Sequence, residues 1–154
     1  MSEDHSHRGG SGGRSAPGTS SDAPAKFFMG APEGSDAFFD AARENRLLIQ
    51  RCTDCGEHQF YPRQICIHCG APDVDWVDAS GRGTVHTFTV IHQQGMPGWR
   101  EELPFVAAVI DLEEGPRMTS NVVGCAPSDV SVGMPVEVTF VDEGQYVLPR
   151  FRPA

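Results

Sequence analysis

The chain has 154 residues, of which 39% are hydrophobic and 21% charged, enough for one ordinary domain or two small ones. Its net charge is −9, from 12 basic and 21 acidic residues. This balance argues against a nucleic-acid partner, because such binding draws most of its affinity from basic surfaces. No apolar run approaches the roughly 20 residues of a membrane helix, which argues against a membrane partner. Residues 1–21 lack the apolar core of a secretory signal, so we expect a cytoplasmic location and metal-binding rather than disulfide-bonded cysteines.

The N-terminal part of the chain divides into a tail and a helical segment. Residues 1–26 are rich in Gly, Ser and Pro without apolar periodicity, so we expect them to be disordered. In the segment 27–50, Ser35 stands where an N-cap belongs, and an amphipathic helix is predicted over 36–45. The Phe pair that begins at Phe38 has two interpretations, packing in the core or docking on another subunit.

Residues 51–78 carry the strongest chemical signal in the chain, two Cys-x-x-Cys pairs separated by ten residues, each followed by a glycine. Two thiolates from one tight turn can bind the same ion, and the glycine permits the turn geometry. Two such pairs form a closed tetrahedral site for one structural zinc, or for iron in a rubredoxin-like form. The predicted ligands are Cys52, Cys55, Cys66 and Cys69.

A site with four protein thiolates has no open position for water or substrate, so we expect no hydrolysis at this metal. We predict no catalytic residue in the chain, and no cofactor-binding residue besides the metal ligands can be assigned. His58 and His68 lie within the ribbon but are surplus as ligands. Cys125 lies far outside it and is interpreted as an inert small residue.

The segment 79–154 alternates short apolar runs with Gly/Pro turns. Five strands without helical periodicity in so short a segment predict a small closed barrel, an OB-fold, with an SH3-like barrel as the alternative. The predicted strands are 84–92, 105–112, 118–123, 136–140 and 146–151.

Two further features of this segment carry possible functions. His86 and His92 are six residues apart and in phase on a strand, so they could form an acid/base pair, although surface positions are the commoner outcome for such histidines. The long loop 93–103 contains Trp99 and Arg100, residue types favoured at protein interfaces. This loop has two interpretations, contact with a partner protein or packing on the barrel mouth.

Taken together, these motifs resemble a known family, the zinc-ribbon/OB-fold acyl-CoA-associated proteins, long filed as domain of unknown function thirty-five. The similarity runs from about Phe27 to the C-terminus. It is carried by the helix and ribbon motifs Phe38-Phe39, Leu47-x-x-Gln50-Arg51-Cys52-x-x-Cys55-Gly56 and Tyr61-Pro62-Arg63-x-x-Cys66-x-x-Cys69-Gly70. In the barrel it is carried by Trp76, Ser80-Gly81-x-Gly83-Thr84-Val85, Phe88-Thr89-Val90, Pro104-Phe105-Val106, Gly133-Met134-x-Val136 and Pro149-x-Phe151.

The resemblance implies an accessory subunit that assembles with a thiolase-fold enzyme, such as a thiolase, an acyltransferase or an aldolase acting on CoA thioesters. The partner would supply the nucleophile and the acid/base residues, and this chain would support acyl-CoA handling; whether acyl-CoA touches this chain stays open. Two alternatives remain. One is a nucleic-acid-binding zinc-ribbon/OB protein, and the other is an independent acyl-CoA hydratase or thioesterase that uses His86 or His92.

Overall fold

The structure is a computed structural model that describes residue 26, residue 28 and the ranges 30–93 and 98–154. The tail expected to be disordered therefore lies outside the described residues, except for Lys26. The chain forms one short helix and eight strands in the described ranges. They are α1 (Asp36–Arg43), β1 (Leu48–Cys52), β2 (His58–Gln59), β3 (Val74–Asp78), β4 (Arg82–Ile91), β5 (Phe105–Leu112), β6 (Arg117–Val122), β7 (Pro135–Asp142) and β8 (Val147–Pro153).

The strands form two sheets. The first has the antiparallel order β2-β1-β3, and the second is a closed five-stranded barrel in the order β4-β5-β6-β8-β7. The barrel closes through antiparallel pairing of β4 with β7, and β6 pairs with β8 in parallel. The mainly β prediction, with a short helix, a zinc ribbon and an OB-fold barrel, is confirmed. Each predicted barrel strand overlaps an observed one, and their ends differ by at most two residues.

The face of β5 that points into the barrel is fully buried, and its outer face is partly covered. Val106, Ala108, Ile110 and Leu112 alternate with half-buried neighbours. The nearly continuous apolar sequence of this strand therefore reflects one face in the core and one face sheltered by other parts of the chain.

Helix α1 buries its apolar face within the chain. Phe38 is 7% exposed, Ala41 and Ala42 are also buried, and the helix contacts β1 and β8. Ser35 occupies the N-cap position, but its hydroxyl donates to the Pro32 carbonyl oxygen at 2.5 Å, so the expected capping bond to the helix is not made. Of the two interpretations of the Phe pair, core packing is correct for Phe38.

Strand β4 contains a bulge at His86, where the pairing with β5 shifts between Val85 and Thr87. An extra residue in one strand moves the inward positions by one. Val85 points inward before the bulge, and Phe88 packs against the core after it. The expectation that His86 and His92 are in phase on one strand is therefore wrong, and His92 lies beyond the end of β4.

One hydrophobic cluster runs through the helix, the ribbon sheet and the barrel. It joins Phe38 and Ile49 to Ile110 and Phe151, the last three of which are fully buried. The ribbon is therefore seated on the barrel by shared apolar packing, and this fixes where the cysteine-bearing turns lie. Within the described ranges, no helix is long and apolar enough to cross a bilayer.

Candidate metal centre

The four predicted ligands come together at one end of the ribbon sheet. Their sulfur atoms all lie within 4.8 Å of one another. Sγ of Cys52 is 3.6 Å from Sγ of Cys69, and Sγ of Cys55 is 3.7 Å from Sγ of Cys66. A tetrahedral site with Zn–S bonds near 2.3 Å requires sulfur separations of about 3.8 Å. The cluster therefore fits one structural zinc ion.

The two cysteine-bearing turns have the same backbone hydrogen bonds. Gly56 donates to the Cys52 carbonyl and Gly70 to the Cys66 carbonyl, both at 3.0 Å. The glycines adopt φ of +77° and +79°, a conformation that other residues resist. The first cysteine of each pair is buried and the second is exposed. The sequence repeat Cys-x-x-Cys-Gly thus produces two turns of the same geometry, and each turn contributes two sulfur atoms to the cluster.

Backbone amides of the second turn favour the thiolate form of Cys66. The pKa of this thiol is lowered to about 6, chiefly by the N–H of Cys69, and the N–H of His68 also contributes at 3.3 Å from the sulfur. At Cys55 the amide of Glu57 lowers the pKa, but desolvation and the neighbouring thiols outweigh it and raise the pKa to about 12. A cation that binds here must therefore displace thiol protons, because the ligands are thiolates.

Two buried glutamines connect the two turns. Gln59, 1% exposed, donates to Oε1 of Gln50 at 2.8 Å and accepts from the N–H of Ile67 at 2.9 Å. Its amide nitrogen also reaches the carbonyl of Ile65 at 3.3 Å. Ile65 and Ile67 flank Cys66, so this side chain positions the second turn on the ribbon sheet. Gln59 could not be predicted from the sequence, since nothing local distinguishes it from an exposed glutamine on a short strand.

The remaining candidates lie outside the cluster. Nε2 of His68 contacts the backbone oxygen of His58 at 3.2 Å, and neither histidine belongs to the four-cysteine group. Nδ1 of His86 lies 2.9 Å from a carboxylate oxygen of Asp111 on the outside of the barrel. Desolvation raises the pKa of Cys125, which indicates a neutral thiol. The partner of His86 is therefore a carboxylate, Asp111, and His92 lies beyond the end of β4.

Trp99 packs within the chain. Its ring centroid lies 5.8 Å from those of Phe28 and Phe105. Of its two interpretations, packing on the barrel mouth agrees with these contacts.

Comparison with protein families connects this architecture to known proteins. Residues 39–75 match the ChsH2 rubredoxin-like zinc ribbon domain, and residues 76–141 match the ChsH2 C-terminal OB-fold domain. A DUF35 domain-containing scaffold protein of Methanocaldococcus jannaschii is 40% identical over 95 residues, which are 61% of this chain and 67% of that protein. The chain belongs to the DUF35 family. The resemblance stated from the sequence motifs is thereby confirmed.

A larger curated protein and a solved structure contain stretches similar to this chain. The probable enoyl-CoA hydratase alpha subunit of Thermomonospora curvata is 41% identical over 118 residues, which are 76% of this chain and 36% of that protein. This chain thus aligns with about a third of the hydratase subunit. A chain of the Ltp2-ChsH2(DUF35) aldolase is 37% identical with a TM-score of 0.74, and the match covers 82% of this chain and 98% of that one.

Proposed function

We propose that this DUF35 chain is a non-catalytic subunit that docks on a thiolase-fold enzyme and supports acyl-CoA handling. The observation that carries the proposal is the similarity to a chain of the Ltp2-ChsH2(DUF35) aldolase over nearly all of that chain's length. A second relative, the benzoylsuccinyl-CoA thiolase subunit BbsA of Geobacter metallireducens, is 32% identical over 76 residues, which are 48% of each protein.

We also propose that Cys52, Cys55, Cys66 and Cys69 are the ligands of the zinc. Four thiolates saturate the ion, so its role is to hold the ribbon in shape, and substrate has no inner-sphere position. We propose that the reacting groups come from another polypeptide. All five cysteines are unbridged, which supports a cytoplasmic location.

The docking surface is proposed to lie on the ribbon. The loop between β2 and β3 exposes three large apolar side chains, Tyr61, Ile65 and Ile67, each between 54% and 56% exposed. The apolar face of α1 is buried inside the chain, so it offers no such surface. Exposed apolar side chains held on a rigid loop are suitable anchors for a partner, since buried contacts of this kind contribute most of an interface's affinity.

The test is reconstitution. The tagged full-length chain is purified from its native host, co-purifying proteins are identified by mass spectrometry, and acyl-CoA turnover is measured for each component and for the mixture. We expect a stoichiometric thiolase-fold partner, with no turnover by the lone chain. Turnover by the lone chain, or a stoichiometric partner of another fold, contradicts the proposal.

A second candidate is a subunit of an acyl-CoA hydratase. Besides the Thermomonospora protein, the 3-oxo-4,17-pregnadiene-20-carboxyl-CoA hydratase alpha subunit of Mycobacterium tuberculosis is 36% identical over 116 residues, which are 36% of its length. The same reconstitution separates the two candidates, because hydration of an enoyl-CoA and cleavage or formation of a carbon–carbon bond yield different products.

A further inference from the structure

The only lysine of the chain, Lys26, places its ammonium group in a cage at one end of the barrel. Its Nζ contacts a carboxylate oxygen of Glu102, lies 2.5 Å from Oε2 of Glu143, and is 5.0 Å from the ring centroid of Trp99. The side chains of Lys26 and Glu143 are only 12% and 7% exposed. The Glu102 side chain is 28% exposed, so the cage is buried around Glu143 and partly open to water at Glu102, and it is assembled from segments distant in sequence.

Arg150 completes the charge balance of this cage. Its guanidinium contacts Glu143 and lies 3.2 Å from Oε2 of Glu102, with its side chain 7% exposed. The formal charges of two carboxylates, one guanidinium and one ammonium sum to zero. Loss of the ammonium leaves a net charge of −1 in a buried setting, which is costly unless another cation replaces it. The two carboxylates therefore require a second cation besides Arg150.

The position of Lys26, with the Trp99 ring 5.0 Å from its ammonium, suits an ammonium, although the guanidinium of Arg150 also contacts both carboxylates. An ammonium is a compact charge with three donors, which suits two carboxylates from different segments and the face of a Trp ring. A guanidinium prefers to bind one carboxylate with two parallel hydrogen bonds. The other eleven basic residues of the chain are all arginines, and lysine stands only where this cage surrounds it.

We propose that Glu102, Glu143 and Trp99 form a binding site for a primary alkylammonium group, with Lys26 as its resident ligand. The site fastens the N-terminal segment to the barrel, and an ammonium from outside can enter it when Lys26 leaves. This inference goes beyond the proposed function and does not depend on it.

The contacts next to Lys26 agree with such a fastening. The Phe28 ring lies 5.8 Å from that of Trp99 and 5.9 Å from that of Tyr146. The N–H of Ala31 donates to the Tyr146 hydroxyl at 3.1 Å. Release of Lys26 would therefore also uncover Trp99 and Tyr146, which makes the Trp99 indole a reporter of the site.

The first test uses the wild-type chain and needs no substitution. The protein is treated with an acetylating N-hydroxysuccinimide ester, and acetylation of Lys26 is followed by peptide mass spectrometry, which separates it from the terminal amine. We expect Lys26 to react at least about tenfold more slowly than in the denaturant-unfolded chain, since charge-assisted hydrogen bonds must open first. Equal rates in the two states overturn the proposal.

The second test supplies the ligand from outside. n-Butylammonium is titrated into Lys26→Met and into the wild type, with n-butanol as the neutral control at equal ionic strength. Binding is read from the NMR signal of the Trp99 indole N–H, with Trp76 as internal reference. We expect n-butylammonium to shift the Trp99 signal in Lys26→Met and not in the wild type. In the double variant Lys26→Met/Glu143→Gln, binding of n-butylammonium should be at least about tenfold weaker than in Lys26→Met. Equal responses to n-butanol, or to n-butylammonium in the wild type, overturn the proposal; if Lys26→Met does not fold, the acetylation rates decide.

Discussion

The side-chain amide of Gln59 donates to Oε1 of Gln50 across 2.8 Å, and both side chains are buried inside the ribbon. Oε1 of Gln50 also accepts from the backbone N–H of Arg63, which begins the approach to the second cysteine turn. The pair therefore links the first strand of the ribbon to the turn that carries Cys66. Groups that orient metal ligands from outside the inner sphere commonly change metal affinity when they are lost.

Gln59→Leu should weaken zinc binding while leaving all four cysteines in place. The substitution leaves the N–H of Ile67 without its partner, a loss that costs about 1–3 kcal/mol, and removes one of the two hydrogen bonds to the oxygen of Gln50. We expect about a 10- to 100-fold loss of zinc affinity, measured by competition with a chromophoric chelator. Gln64→Leu, on the exposed part of the same loop, is the matched control and should bind zinc normally. Equal affinities in the two variants would show that the buried amide does not position the site.

Cys66→Ser should abolish zinc binding and partner association while the barrel stays folded. The barrel strands close on one another through their own hydrogen bonds, whereas the ribbon sheet is three short strands that depend on the metal. Zinc content by elemental analysis and backbone hydrogen exchange of β4 to β8 check the two parts. Cys125→Ser is the control, because Cys125 lies outside the cluster. An intact complex formed by Cys66→Ser would show that the metal is dispensable for docking.

Zinc affinity should fall as the pH falls, because protons compete with the metal for the thiolates. In the metal-free cluster, Cys66 has its pKa lowered to about 6, whereas Cys55 has its pKa raised to about 12. Near neutral pH, binding therefore releases protons from Cys55 and Cys69, whose pKa values are both raised, but little from Cys66, and below about pH 6 Cys66 contributes a proton as well. Chelator competition between about pH 8 and pH 5 should give a slope that steepens on the acid side. A constant affinity over this range would contradict the thiolate assignment.

Ile65→Asp should weaken partner binding without affecting the fold. Ile65 is 54% exposed on the ribbon loop, so the free chain loses little packing. A charge buried at an apolar contact should cost about 2 kcal/mol or more of binding free energy, measured by isothermal titration with the purified partner. Val132→Asp provides the control, since Val132 is 67% exposed on the barrel side of the chain. If both variants bind equally well, the ribbon loop is not the docking surface.

Gly83→Ala should destabilise the barrel. A Cβ at this position would lie 2.5 Å from the Asp111 backbone oxygen and 2.7 Å from the Ile110 side chain, where β4 pairs with β5. The shifts needed to accommodate such overpacking typically lower the free energy of unfolding by about 1–3 kcal/mol, which a urea unfolding curve resolves. Gly30→Ala is the control, because nothing lies within 4 Å of the added atom there. An unchanged unfolding midpoint in Gly83→Ala would mean that the strands can separate locally at no cost.

Short-range patterns account for what could be predicted. The Cys-x-x-Cys-Gly repeat forms each turn from five successive residues, so each cysteine pair could be predicted from local geometry. Alternation along β7 and the turns between barrel strands are likewise local, and their prediction was correct within two residues. The domain boundaries after residues 26, 50 and 78 stay predictions, and one hydrophobic cluster crosses the last two of them.

The sequence by itself determined the cysteine-bearing turns, the approximate ends of the barrel strands and the family, because those signals lie in short motifs of neighbouring residues. The tertiary structure alone decided the bulge at His86, the amide pair of Gln50 and Gln59, and the cage around Lys26. Each of these depends on which strands and segments pair when the chain folds. Lys26 and Glu143 are 117 positions apart, and the sequence carries no local signal of their contact, since an ion pair forms wherever folding brings opposite charges together.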